Sequence, residues 1–306
     1  DKTALSLNLN ASAVNASKNG ITIKDAALQT NAKINLPALI YEGTARITSH
    51  EISGLPQIDK ISDTSVKLQF KNDAIVIQEL LAKILDAAVT AKGTLTGTLL
   101  DLDINGDFDL EAIAKLLPRD LSLPAFAIAG TAETTAHIKT DIAQQDPPVI
   151  NGETILKNVG LEFPENKIAL ETDIGRLKFD TTQESIEGHF EAIKYQNQNY
   201  RLDGNLKNFK SPTVSAMIMG MDTKLQISLT KEENLLRVSS AKGTVKNSTF
   251  DLTAALDAHN NLQASATANL DFEDLAFLWP QGKDILKQLN LKGVCSLSAD
   301  ITGPVS

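Results

Sequence analysis

A single cysteine, Cys295, in 306 residues leaves no intrachain disulfide and no thiolate metal cage, so burial and hydrogen bonding must hold the fold. Four isolated histidines, His50, His137, His189 and His259, show no zinc-ligand spacing and stand near no Ser or Asp at a catalytic spacing. Positive charge is in deficit: 29 Lys and Arg face 38 Asp and Glu, a net charge of −9 with no basic patch, which excludes nucleic acid as a partner. No apolar run approaches the roughly 18 residues of a membrane-spanning helix, and Asp1-Lys2 opens without the basic and apolar regions of a signal peptide. Phosphate loops, nucleophile elbows and dinucleotide-binding glycine patterns are also missing. The sequence therefore reads as a non-enzyme with no catalytic residues, metal or cofactor. Aromatics are scarce at 5%, although 42% of the chain is apolar and 22% charged, the balance of a folded protein.

What the chain has in quantity is alternation. Leu5 to Ala13 alternate with Ser6, Asn8, Asn10 and Ser12. Val66, Leu68 and Phe70 alternate with Lys67, Gln69 and Lys71, and Leu225, Ile227 and Leu229 with Lys224, Gln226 and Ser228. Ile186, Gly188, Phe190 and Ala192 follow the same rule. Period two marks strands with one apolar and one polar face. Asn19-Gly20, Asn105-Gly106, Asn151-Gly152, Asp203-Gly204 and His259-Asn260-Asn261 read as the turns between them. The fold class expected is mainly β, a long antiparallel meander with a few short amphipathic helices.

Helical spacing interrupts the meander near 75–91 (Ile77, Leu80, Leu81, Ile84, Leu85, Ala88), near 109–118 and near 272–289. Asp109 and Asp271 stand at N-cap positions, and Pro118 and Pro280 at stops. The last two segments are copies: DLEAIAKLLP at 109–118 and DFEDLAFLWP at 271–280, each followed by a strand, with Ala132 matching Cys295. The break between units falls in Ala143 to Pro148, dividing the chain into 1–142 and 143–306. Both ends lie inside strand-like alternation, so the sequence reads as a piece of a longer protein.

Two weaker patterns have ordinary readings. Asp101, Asp103, Asn105, Asp107 and Asp109 are spaced like a calcium loop, but Ala112 occupies the position of the bidentate Glu, and a strand followed by a helix cap fits the same residues. Asn10, Asn15 and Asn247 head N-x-S/T sequons, with nothing to place them in a eukaryotic secretory context.

The stretch Asp271 to Gly303, an amphipathic helix followed by L-x-L-x-G-x-x-S-L-S-A-D-I-T-G, resembles the AsmA-like family of cell-envelope proteins, related to TamB and the bridge-like lipid transfer proteins. Its degenerate copy spans Asp109 to Asp141. The resemblance implies a sheet curled into a U-shaped groove with an apolar inner face, carrying phospholipid acyl chains across the periplasm between inner and outer membranes. It also implies anchoring to the inner membrane through a segment outside this chain. Leu225, Ile227, Leu229, Leu291, Cys295, Leu297 and Ile301 are the lining residues that alternation selects. Periodicity alone equally permits an adhesive or structural β-sandwich array whose apolar faces are sealed against each other.

Overall fold

The structure, a computed structural model, describes residues 4–304 apart from 36–37, 39, 56–57, 116–124, 145, 167, 196–197, 234 and 275–291. The chain forms two units, residues 1–169 with 180–182, and residues 170–179 with 183–306. The first holds β1 (Ala4–Lys18), β2 (Ile21–Asn35), β3 (Ile40–Leu55), β4 (Ile58–Lys71), β5 (Ala74–Ile84), β6 (Ala87–Thr96), β7 (Leu99–Asp109), α1 (Leu110–Ala114), β8 (Ala127–Asp141) and β9 (Val149–Phe163). β10 (Ile168–Asp180) begins in the first unit and lies mostly in the second. There follow β11 (Ser185–Tyr195), β12 (Gln198–Lys207), β13 (Thr213–Met219), β14 (Thr223–Glu232), β15 (Leu235–Val245), β16 (Ser248–Asp257), β17 (Asn261–Asp271) and β18 (Val294–Pro304). From β1 to β9, and again from β11 to β18, each strand pairs antiparallel with its chain neighbours. The meander expected from alternation is therefore the fold of each unit.

The long strands of the first unit keep their apolar residues on one face by an occasional step of three instead of two. Such steps run from Ala11 to Val14, Ile23 to Ala26, Ser49 to Ile52, Ile61 to Thr64 and Ile77 to Leu80. Asp25 and Asp63, inside two of them, take positive φ of 50°. Each extra residue restores the face and bends its strand. The two faces differ in burial: on β6, Ala87 is 8% exposed while its neighbour Ala88, pointing the other way, is exposed.

Among the described residues neither unit encloses a large core. The accessible surface is 20438 Å² for 32.9 kDa, whereas two separate compact domains sharing that mass would expose about 15,000 Å². Among the described residues nine apolar side chains are buried, five of them alanines. Their small volume cannot fill the interior of a sealed sandwich.

Several expectations need correction. Residues 75–91 are strands β5 and β6 joined at Leu85-Asp86, not a helix. The step of three from Ile77 to Leu80 counterfeited helical spacing, and Ile75, Val76, Ile77, Ile84 and Val89 supply the β-branched content that strands favour. Asn105-Gly106, Asn151-Gly152 and Asp203-Gly204 lie within β7, β9 and β12 rather than at turns. Asn19-Gly20 does form the expected turn, with φ of 52° and 84°, and Asp257 to Asn261 closes the β16–β17 turn. Within 109–118, helix is described over Leu110–Ala114, capped by the Asp109 carboxylate, which accepts from the Ala112 N–H at 3.1 Å. Of the 272–289 segment only the turn through Asp274 is described, and the rest lies outside the described residues.

The internal repeat has a structural counterpart. β7 and β8 correspond to β17 and β18: Phe108 pairs with Ala132 just before Asp109, as Leu270 pairs with Cys295 just before Asp271. The two copies fasten the following segment differently. Asp109 caps a helix, whereas Asp274, 2% exposed, accepts hydrogen bonds from the Asn247 N–H at 2.8 Å and the Ser248 hydroxyl at 3.0 Å.

Candidate apolar binding face

In the second unit register sets the apolar residues in rows across the strands. One row runs Ile218, Leu225, Gly243, Phe250, Ala268, Leu297. The next, one pleat along, runs Ala216, Ile227, Ala241, Leu252, Ala266, Ala299. A third contains Leu229 and ends at Ile301. Six of the seven lining residues read from the sequence therefore share one face: Leu225, Ile227, Leu229, Cys295, Leu297 and Ile301. The seventh, Leu291, lies outside the described residues. Six strands about 4.8 Å apart make these rows roughly 24 Å long, and the three rows hold no charged side chain. Leu225, Ile227 and Leu229 are half-buried, while Leu297 and Ile301 are 51% and 56% exposed.

The first unit carries the same kind of face. One row runs from Ala11 on β1 through Leu28 and Ile47 to Val66 and Leu80, and on through Ala91 to Ile104 and Ala136, and Leu9, Leu7 and Leu5 continue the Ala11 side of β1. Alternation alone located β1, β4 and β8. It could not locate β5, because a bulge shifts the phase and no residue type announces one.

Aromatic rings on these faces lie against glycines, a relation the sequence did not disclose. A Cβ on Gly243 would fall 2.4 Å from the Phe250 ring directly opposite, and one on Gly43 would fall 2.6 Å from Phe70. Phe190 covers Gly175 and Tyr200 covers Gly220 in the same way. Each ring shields the bare backbone beside it and keeps the face low in relief. Scarce aromatics are thus spent on covering strands, not on filling a core.

The opposite face is charged and paired across strands. Lys242 meets Asp251 at 3.0 Å, Lys24 meets Glu51 at 2.6 Å, and Lys67 pairs with Glu79. Three histidines that seemed partnerless in sequence also have acidic neighbours: His50 with Asp63 at 3.5 Å, His137 with Asp103 at 2.9 Å, and His189 with Asp203. Register alone could have revealed them. The His189 hydrogen bond, aided by Arg201, holds the Asp203 carboxyl below its ordinary range, and Lys83 does the same for Asp63. Asp101, Asp103, Asn105 and Asp107 line the polar side of β7, where alternate residues are about 7 Å apart. That is the geometry of a row, not of a cage around one ion. No group of three or more metal-binding side chains occurs among the described residues.

Comparison with family models, with curated proteins and with solved structures finds no match. Among the described residues no helix is long and apolar enough to cross a membrane.

Proposed function

We propose that the protein is a non-enzymatic lipid-transfer module, its apolar strand faces shielding phospholipid acyl chains between the inner and outer membranes of a cell envelope. The observation that carries this reading is a charge-free apolar face in the second unit, its rows roughly 24 Å long, on which Leu225, Ile227 and Leu229 are only half-buried, while on the first unit's face Ile47, on an interior strand, is 39% exposed. A sealed sandwich would hide such residues. The energetic case is simple. Drawing an acyl chain through water costs about 0.8 kcal/mol per methylene, so about 14 methylenes cost on the order of 11 kcal/mol, roughly eight decades in rate. A face that replaces water along the path lowers that barrier without chemistry. The resemblance of Asp271 to Gly303 to the AsmA-like family supports the envelope setting.

The test is mass spectrometry of an organic-solvent extract of the purified protein. Stoichiometric phospholipid or fatty acid is expected, and it should fall sharply in an Ile227→Glu variant that keeps its strand circular dichroism. An extract free of lipid, with the protein unable to take up an acyl probe, would point to a structural or adhesive sheet instead.

A further inference from the structure

The three methionines of the chain stand within five residues, at Met217, Met219 and Met221. Its other apolar positions are filled without methionine. Ala216 and Ile218 of β13 enter the apolar rows, so Met217 and Met219 belong to the opposite, polar face. There register sets Met217 between Asp203 and Gln226, and Met219 between Arg201 and Lys224. The Gly220 N–H donates to the Thr223 carbonyl at 2.7 Å, which makes Met221-Asp222 the tip of a tight hairpin. Met221 is 96% exposed there, in a place where Gly, Asn, Asp or Pro is the usual residue. The apolar face does not account for the grouping, because it lies on the other side of β13, where the Tyr200 ring covers Gly220. β12 and β15 flank the hairpin, so it is interior to its sheet.

Thioether sulfur is a soft, neutral ligand that selects Cu(I) over Mg, Ca and Mn, which are bound by oxygen. We propose that Met217, Met219 and Met221 form a surface site for Cu(I). His, Cys, Asp and Glu form no metal-holding group among the described residues, and methionine sulfur is a ligand of another kind. The aspartates of β7 fail as a calcium site because a row of short carboxylates cannot bring about six to eight oxygens to one ion. Cu(I) asks for far fewer ligands. The Cα atoms of Met217 and Met219 are about 7 Å apart, and their long unbranched side chains turn on flexible bonds, so two sulfurs meet one ion by rotamer changes alone. Met221, exposed at the hairpin tip, closes the site from its end. Local charge does not oppose the ion: Arg201 is tied to Asp203 at 2.9 Å, and Asp222 balances Lys224 in formal charge. This inference is independent of the lipid reading.

The test is anaerobic competition for Cu(I) between the 306-residue chain and a chromophoric Cu(I) chelator, in a Cys295→Ser background that removes the one thiol. The chain should hold a single ion, and the methyl NMR signals of all three methionines should shift as it binds. Thioethers do not titrate, so binding should be unchanged at about pH 5, where histidine ligands are protonated. Met217→Leu, Met219→Leu and Met221→Leu together should abolish uptake. Leucine for methionine conserves volume, so circular dichroism should report an unchanged sheet. Met221→Leu alone, at an exposed turn that makes no demand on folding, should weaken binding. No uptake by the Cys295→Ser chain, uptake that survives the triple change, full affinity in Met221→Leu, loss of binding at about pH 5, or a Met221 methyl signal that does not move would each overturn the proposal.

Discussion

At Gly243 the absent side chain is what lets the Phe250 ring lie flat, since a Cβ there would approach the ring to 2.4 Å and the Lys224 carbonyl to 3.1 Å. Gly243→Ala should therefore destabilise the fold by about 1–3 kcal/mol, the usual cost of overpacking. A smaller residue at position 250 should recover part of it; urea denaturation of the single and double variants measures both. The polar face gives a pH prediction. Asp203 is held below its ordinary range by His189 first and Arg201 second. A carboxylate with a depressed folded-state value contributes stability above its unfolded value, near 3.9, and loses that contribution as pH falls through the folded value. The stability gap between wild type and Asp203→Asn should thus be present at neutral pH, at most about 1 kcal/mol for so exposed a pair, and should vanish in acid. A gap that widened toward low pH would show that the pairing is read wrongly.

Among the elements, the turn after β17 is fastened by the most buried polar contacts described. Ser248, 1% exposed, donates to Asp274 and accepts from the Asp271 N–H at 3.0 Å. Removing the carboxylate leaves the buried Ser248 hydroxyl, and the part-buried Asn247 N–H, without that acceptor. Asp274→Ala should cost about 1–3 kcal/mol, against roughly 1 kcal/mol for Asp109→Ala, which removes a cap from the short, more exposed α1. Reversal of that order would separate the two copies' roles differently. Elements were legible where one period ran unbroken, as in β14 and the Val66–Phe70 stretch of β4. They were misread where a bulge entered, because the apolar step from Ile77 to Leu80 is shared by a bulged strand and a helix. Mid-strand Asn-Gly and Asp-Gly pairs misled for a different reason: Gly106 is required by the Phe108 ring, not by a turn.

For the molecule as a whole, the claim to be tested is that the apolar faces stay open. That Leu225, Ile227, Leu229, Cys295, Leu297 and Ile301 share one face was legible because antiparallel register preserves the phase of alternation. The rings over glycine and the histidine–aspartate pairs were not, since they depend on which residues register sets opposite each other. Cys295, the one thiol, is on the apolar face of β18, opposite Leu270 and beside Leu297. It reports directly on what that face admits. Two maleimides of similar size, one carried on an acyl chain and one charged, should be reacted with the native protein, with and without phospholipid. The account predicts faster labelling by the acyl reagent and protection by phospholipid. Equal rates, faster labelling by the charged reagent, or no protection would contradict it.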